Sequence, residues 1–347
     1  MARSWWRPAG SIMAVAGLAC LPFVLDDWTL TNVSRIMGLA LLAVSVSLLT
    51  GTAGLPTLGQ VAPFGIGAYL AVNLAEAGFV SGPGQLLAAG LLAAAFSAVV
   101  GLVVIRTRGA TFLMVTLAVG MLIETAAGQW TSITGGTDGT SRVPPAEPLP
   151  GLAPLIDEWN IYWYCLAVTV VVVGLVLWAL RSWPGTLIRG CRDHETRMRA
   201  SGHRVGGYLL AVYVAAGAIA GVGGALLVTG RRYFSPEDVN LNMSATVMLG
   251  IVIGGTASIP GALIGTAAVV LVDDWFTAWQ PGQGPLLLGL MFILAVYLLP
   301  RGIAGLWGSD GPGVLDLLRR GRARPDGSVP DPADTAVVGA TSEQGSR

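Results

Sequence analysis

The sequence contains no lysine, and all 20 of its basic residues are arginines. A P-loop needs a lysine to reach the phosphates of a nucleotide, so this chain does not bind ATP in that way. Charged residues make up only 12% of the chain, whereas soluble domains contain about 25%. The sequence therefore excludes a P-loop ATPase and disfavours a soluble globular protein.

Residues that carry enzyme chemistry are also scarce. The chain has two histidines, His194 and His203, and three cysteines whose spacing does not match a metal site. It has no HExxH or GxSxG motif and no paired carboxylates within its apolar segments. We therefore expect no catalytic residue, no metal and no cofactor, and we expect no nucleic-acid partner.

The chain is instead rich in long apolar segments. It is 53% hydrophobic, contains 48 glycines and has a mean hydropathy of +0.67. Runs of about 17–25 apolar residues recur, which is enough for a helix to cross a bilayer. The pattern predicts an all-α polytopic membrane protein with about ten spans, near 10–25, 33–50, 57–76, 85–105, 110–130, 161–180, 207–230, 243–256, 260–273 and 285–300.

The arrangement of charges predicts the orientation of these spans. With the N-terminus inside, the inner loops before the tail hold eleven arginines and two acids, and the outer side holds four arginines and most of the acids. This asymmetry fits the positive-inside rule with both termini cytoplasmic. We expect a transmembrane domain over 1–308, with an outer loop at 131–160 and an inner loop at 181–206, and a disordered cytoplasmic tail over 309–347.

The third and eighth spans are rich in glycine, which predicts kinked or discontinuous helices. They occupy equivalent positions in two five-helix halves, and five is odd, so the two halves would have opposite orientations. Inverted repeats of this kind are common in transporters. The pattern therefore raises the hypothesis of two inverted five-helix halves.

Two polar side chains within spans have more than one interpretation. Gln60 is surrounded by residues that weaken a helix, so the segment either lines a polar path or packs closely against another helix through its small residues. Glu124 is a carboxylate within a span, which is costly unless it is paired or hydrated. It either has a functional role or lies at the headgroup level near the end of its helix.

The inner loop contains six arginines between Arg181 and Arg204. We expect a short helix there, capped by Asp193 or a nearby residue and ended by Gly202. Such a helix either binds the anionic headgroups of membrane lipid or serves as a docking surface for a soluble partner. The physical pattern alone does not separate the two.

Several stretches resemble the permease subunits of branched-chain amino acid ABC transporters, particularly the LivM type. TLGQVAPFGIGAY resembles the SLGHAAFFGIGAY-like signature of the family, and TGGTDGT matches its TGG-x-x-G outer-loop motif. The remaining similar stretches are RTRGATFLMVTLAVGMLIE, GTLIRGCRDHETRMRASG, RRYFSPEDVNLNMSATVMLGIVIGG and LPRGIAGL. Together they cover about residues 50–306 in the order found in the family.

The resemblance implies a subunit of an importer in the bacterial inner membrane. Its partners would be a second permease subunit of the LivH type, two cytosolic ATPase subunits and an extracytoplasmic solute-binding protein. The ATPase would dock on a coupling helix containing Arg189, Arg192, Asp193, Glu195, Arg199 and Gly202. The translocation path would include Gln60, Gly65, Gly67, Tyr69, Glu124, Gly254 and Gly255.

The chain departs from the family pattern in ways that bear on the solute and the partner. Thr196, Arg197, Met198 and Arg199 replace small residues, which makes the coupling helix bulkier and more basic. Relatives carry leucine, isoleucine and valine, or urea, amides and other small solutes. The alternatives are an ion-coupled secondary transporter, which would have more carboxylates within its spans, and a membrane-embedded enzyme, which would need a polar catalytic cluster.

Overall fold

A computed structural model of the chain describes residues 17–19, 21–23, 26–140, 143–149, 151, 154–279, 286–287, 289–291 and 293. All of them belong to the unit Met1–Gly305. The predicted tail, the predicted first span up to residue 16 and most of the predicted tenth span lie outside these ranges. The predictions for both termini therefore concern residues that the structure does not describe.

The described part of the chain is helical. Its helices are α1 (Asp27–Ser47), α2 (Val61–Glu76), α3 (Gly82–Val104), α4 (Gly109–Gln129), α5 (Glu158–Arg181), α6 (Trp183–Asp193), α7 (Glu195–Ala200), α8 (Val205–Arg231), α9 (Leu241–Gly254) and α10 (Ile259–Trp279). A buried π-helix, Leu48–Ala53, extends α1. Extended pairing within these ranges is confined to two isolated bridges, Ser81–Glu147 and Thr140–Phe234.

Within the described ranges, six helices are long and apolar enough to cross a membrane: α1 with its extension, α3, α4, α5, α8 and α10. The other two apolar helices are α2, with 16 residues, and α9, with 14. At 1.5 Å per residue they extend about 24 and 21 Å, less than the roughly 30 Å of a hydrocarbon core. These are the third and eighth predicted spans, and their helices are shorter than a full membrane crossing.

Successive apolar helices alternate in direction, which gives the molecule two distinct ends. At one end, which we call the basic end, Arg108 pairs with Glu195, and Arg192 donates a hydrogen bond to the carbonyl oxygen of Gly51. At the other, the acidic end, Arg35 pairs with Asp274. Arg108 and Arg192, counted as inner, thus lie at one end, and Arg35, counted as outer, lies at the other; the orientation of the two ends in the membrane stays a prediction. The hypothesis of two inverted halves stays a prediction.

Helix α8 lies at the centre and packs on α1, α2 and α3 through glycine. A Cβ atom added to Gly67 of α2 would be 2.3 Å from the carbonyl oxygen of Gly221, and one added to Gly224 would be 2.0 Å from that of Phe64. On the α1 side, a Cβ atom added to Gly38 would be 3.0 Å from the carbonyl oxygen of Gly223. Such contacts between helix backbones are typical of membrane helices, in which small residues permit close approach.

We predict that Gly67→Ala destabilises the protein by about 1–3 kcal/mol, because the added methyl group meets backbone that cannot move aside. Gly174→Ala in α5 is the matched control, since nothing lies within 4 Å of the position of its added Cβ. Both substitutions raise helix propensity by the same amount, so the difference in stability between the two variants reports the effect of packing alone. Thermal unfolding in detergent measures it, and equal melting temperatures for the two variants would refute the packing described.

Candidate functional site

The short helices α2 and α9 begin next to each other and run in opposite directions. After the π-helix ends at Gly54, which has a φ of 72°, residues 55–60 lead the chain back to the start of α2. There the hydroxyl group of Ser244, in the first turn of α9, donates a hydrogen bond to the carbonyl oxygen of Leu58 at 2.9 Å. The segment that leads into α2 is therefore in direct contact with the N-terminal turn of α9.

Gln60 is the polar centre of this contact. Its side chain is 1% exposed, and its Oε1 atom accepts a hydrogen bond of 2.9 Å from the hydroxyl group of Ser45 in α1. Its Nε2 atom is buried, with no hydrogen-bond partner among the described residues. Ser45 precedes the end of the π-helix at Ala53 by roughly 12 Å along the axis, so this polar group lies well inside the span.

A cavity of about 10 Å³ adjoins Gln60. This volume is close to the minimum that holds one water molecule. The wall is mostly apolar, and neither a carboxylate nor a cation contributes to it; its residues are Leu42, Val46, Thr57, Leu58, Gln60, Val61, Ser244 and Val247. In this conformation the site is closed.

The other predicted path residues of α2 lie between Gln60 and the acidic end. Gly65 faces Val239, whose Cγ2 atom would be 2.8 Å from an added Cβ. Gly67 packs on α8 as described above. Tyr69 is 7% exposed and makes an edge-to-face contact with Phe234 at 4.9 Å between ring centroids. The phenolic oxygen of Tyr69 is buried without a hydrogen-bond partner in the described ranges.

Gly254 and Gly255 lie away from this cavity, towards the basic end. A Cβ on Gly254 would be 1.9 Å from the carbonyl oxygen of Gly261, so this glycine joins α9 to α10. Gly255 ends α9 with a φ of 103°. The adjacent Thr256 accepts a hydrogen bond from Ser47 at 3.1 Å through its carbonyl oxygen.

Glu124 lies apart from the other predicted path residues, on a partly exposed face in the acidic-end half of α4. It has no hydrogen bond or ion pair to another described residue. Side chains lean towards the N-terminus of their helix. In α4 that direction leads away from the acidic end, so the carboxylate leans deeper into the span rather than towards the headgroups.

The loop motif TGGTDGT closes the acidic end of this region. Three of its glycines, Gly135, Gly136 and Gly139, have positive φ angles. Thr140, which follows Gly139, exchanges two backbone hydrogen bonds with Phe234, at 2.9 and 3.2 Å. The motif thereby holds the segment that precedes α9 against the outer loop.

The predicted coupling helix is two helices. α6 ends at Asp193, α7 begins at Glu195, and His194 between them has a non-helical φ of −147°. Asp193 therefore lies in the last turn of α6, and the adjacent His194 occupies the N-cap position of α7 without a side-chain hydrogen bond to the helix. Gly202 does follow the end of α7, with a φ of 82°, as predicted.

Glu195 binds α7 to the loop between α3 and α4 through hydrogen bonds from Arg108. Arg108 donates two hydrogen bonds to its carboxylate, at 3.0 and 3.3 Å, and Arg199 donates one at 2.7 Å. The hydrogen bonds from Arg108 are the main reason that the pKa of Glu195 lies below its usual range; Arg199 lowers this pKa further, against the opposing effect of burial.

Three further coupling candidates have different surroundings. Arg192 donates a hydrogen bond to the carbonyl oxygen of Gly51 in the π-helix, and Arg189 donates one to that of Leu180 at 2.9 Å. Asp193 is exposed and has no hydrogen bond within the described ranges. Arg192 thus faces the transmembrane helices, whereas Asp193 is open to solvent.

Sequence reasoning did not identify Ser45 and Ser244, and it counted Arg108 only as a loop charge. Serines in an apolar run are common, and nothing local distinguishes Ser45 from Ser47. Ser45 binds Gln60, which is 15 residues further along the chain, and Ser244 binds Leu58, which is 186 residues away. The only indication of a role for Arg108 in the sequence was that the acidic Glu195 would pair with a nearby arginine.

We predict that Glu195→Gln loosens residues 190–205, because it removes the charge that Arg108 and Arg199 bind. The pair is about one-third exposed, so the expected loss is only about 0.2–1 kcal/mol. The folded-state pKa of Glu195 is depressed, so its stabilisation is present above the unfolded-state pKa and is lost as the pH falls through the folded-state pKa. Hydrogen exchange of this segment at neutral pH, corrected for intrinsic rates, should be faster in the variant, and the difference should disappear in acid.

Glu237→Gln is the control, because Glu237 is exposed at the acidic end. It should leave exchange in residues 190–205 unchanged at every pH. A Glu195→Gln effect that persists unchanged in acid would contradict the proposed role of the carboxylate charge.

Comparison with known proteins adds family evidence to this geometry. Residues 29–296 match the family model described as branched-chain amino acid transport system, permease component. The chain is 26% identical over 304 residues to the high-affinity branched-chain amino acid transport system permease protein LivM of Escherichia coli K12, covering 81% of this chain and 71% of that protein. LivM of Salmonella typhimurium LT2 gives the same identity and coverage.

No solved structure matches the chain significantly. The family model nevertheless covers well over half of the sequence, and it includes α2, α6, α7 and α9. The relatives are transport permeases, which disfavours both the secondary transporter and the membrane-embedded enzyme. The chain belongs to the family of permease components of branched-chain amino acid transport systems.

Proposed function

We propose that this protein is a membrane-spanning subunit of an ABC importer in the bacterial inner membrane, and that it forms a translocation path for branched-chain amino acids. It would work with a second permease subunit of the LivH type, two cytosolic ATPase subunits and an extracytoplasmic solute-binding protein. We propose ten spans with both termini cytoplasmic, so that the basic end faces the cytoplasm, in accordance with the positive-inside rule.

The observation that carries this proposal is the pair of interrupted helices, α2 and α9, which meet at the buried Gln60. Interrupted helices at membrane depth are tolerated where protein or a wet cavity shields them. In transporters, they place polar groups beside the solute. A membrane protein that only anchored other subunits would have no need of an unpaired amide inside its spans.

The proposed path follows α2 and then α9. From the acidic end it passes Tyr69, Gly65 and Gln60, and it leaves towards Gly254 and Gly255. Gly67 supports this path by bringing α2 against α8. The contacts between Tyr69 and Phe234 and between Gly65 and Val239 close the path above Gln60. The solute would pass when α2 separates from the segment that precedes α9.

Glu124 has a separate place in this proposal. It lies on the partly exposed side of α4 and is a carboxylate within a span, so it needs a polar or charged neighbour. We propose that it faces the path in the assembled transporter, where the second permease subunit completes the surroundings of α4.

Coupling to ATP hydrolysis would take place through α6 and α7. Arg189, Asp193, Arg199 and Gly202 are exposed at the basic end, where a cytosolic ATPase can reach them. Glu195 and Arg192 hold these helices to the transmembrane part, through Arg108 and Gly51 respectively. Movement of α6 would therefore be transmitted to the π-helix of α1, and from there to the two interrupted helices.

We predict that Asp193→Ala combined with Arg197→Glu weakens binding of the ATPase subunits encoded by neighbouring genes. Both side chains are exposed at the junction of α6 and α7. Reversing or removing a charge at the rim of an interface changes the association rate and its salt dependence. Co-purification from membranes at two salt concentrations, together with ATPase activity in proteoliposomes, measures the effect.

The matched control is Arg106→Glu, which reverses an exposed charge at the same end but outside α6 and α7. It should retain the ATPase subunits. If both variants retain them equally, the docking assignment is wrong. Transport itself is tested with the purified complex and its binding protein in proteoliposomes, where uptake of none of leucine, isoleucine and valine would refute the proposed solute.

A further inference from the structure

The N-terminal turns of α2 and α9 give the Gln60 cavity a positive electrostatic character. A helix N-terminus carries roughly half a positive charge. α2 contributes Val61, its first residue, to the cavity wall, and α9 contributes Ser244 and Val247 from its first two turns. No carboxylate lines the cavity to balance these dipoles. In the low dielectric of a span, such a place favours an anionic group.

The Gln60 amide is an independent sign that this site can bind a polar group. Ser45 satisfies only one end of the amide group, whichever way the group is turned, and the other end has no partner among the described residues. Leaving a buried polar atom unpaired costs about 1–3 kcal/mol. Native proteins satisfy nearly all such atoms, so the unpaired end of this amide is available to a polar group of the solute.

The remaining wall is apolar. Leu42 and Val46 come from α1, and Val247 comes from α9. One small site thus combines an amide donor, two helix N-termini and a branched aliphatic surface. This set complements a molecule that joins a carboxylate to a short hydrocarbon chain.

We propose that Gln60 and the N-terminal turns of α2 and α9 bind the carboxylate of the transported amino acid, while Leu42, Val46 and Val247 contact its side chain. This assignment rests on the proposed transport function. A cavity of about 10 Å³ cannot hold the solute, so the described conformation is a closed state. Binding requires α1, α2 and α9 to move apart.

The test compares Gln60→Leu and Gln60→Glu in the reconstituted transporter, with saturating binding protein and leucine as the solute. Gln60→Leu removes the donor at similar volume, and uptake should fall about tenfold to a hundredfold, the effect of a hydrogen bond to a charged group. Gln60→Glu adds repulsion, so its uptake should fall further. Protonation of the new carboxyl group should restore part of that uptake as the pH is lowered, relative to wild type.

Gln129→Glu is the control, because Gln129 is exposed at the end of α4 and lies outside the cavity. It should transport like the wild type, and the melting temperature of each variant separates loss of function from misfolding. If Gln60→Leu and Gln60→Glu both transport normally, or if they lose the same activity with no recovery at low pH, the carboxylate site is wrong. If the wild type transports none of leucine, isoleucine and valine, the proposed function fails instead.

Discussion

Close contact between helix backbones at glycine is the constraint on which the rest of this structure depends. Two helices stop inside the span, and the groups around their ends must be shielded by protein, because lipid offers no hydrogen bonds. Gly67 and Gly224 bring α2 and α8 together until carbonyl groups replace side chains at the contact, and Gly254 does the same for α9 and α10. Without these close contacts between helices, the polar groups near Gln60 would not be shielded from lipid by protein. The glycine content of the chain is therefore a requirement of the interrupted helices and not only a consequence of composition.

The same contacts connect the two ends of the molecule. At the basic end, Arg192 binds the π-helix at Gly51, and Gly51 packs directly on the backbone of Thr256 after α9. Ser45, further along α1, binds Gln60. π-helical turns are frequent at functional sites and leave carbonyl groups available to other partners. A displacement of α6 thus has a short physical route to both interrupted helices. This route gives the proposed coupling a structural basis that the distribution of arginines alone did not provide.

Part of this account was predictable from local patterns. The glycine-rich third and eighth spans indicated broken helices, the charge count separated the two ends, and Gly202 marked the end of α7 because a left-handed residue favours glycine. The interruption at His194 was not predictable, because no proline or glycine marks it. The hydrogen bonds around Gln60 were also not predictable from the sequence, since Ser45 reaches Gln60 and Ser244 reaches Leu58 from separate helices. Arg192 was expected to face the ATPase, and its contact with Gly51 depends on tertiary packing that periodicity does not encode. The number of spans stays a prediction, because the first and tenth lie largely outside the described residues.

The central claim is that α2 and α9 meet by their N-terminal turns inside the membrane. Disulfide formation between Leu58→Cys and Ser244→Cys, in a protein whose three native cysteines are replaced, tests it most directly. The account predicts rapid cross-linking in membranes, together with protection of both thiols from impermeant reagents, whereas Leu58→Cys with Val171→Cys on the exposed face of α5 should not cross-link. Failure of the first pair to cross-link, with both thiols open to the aqueous reagent, would contradict the account.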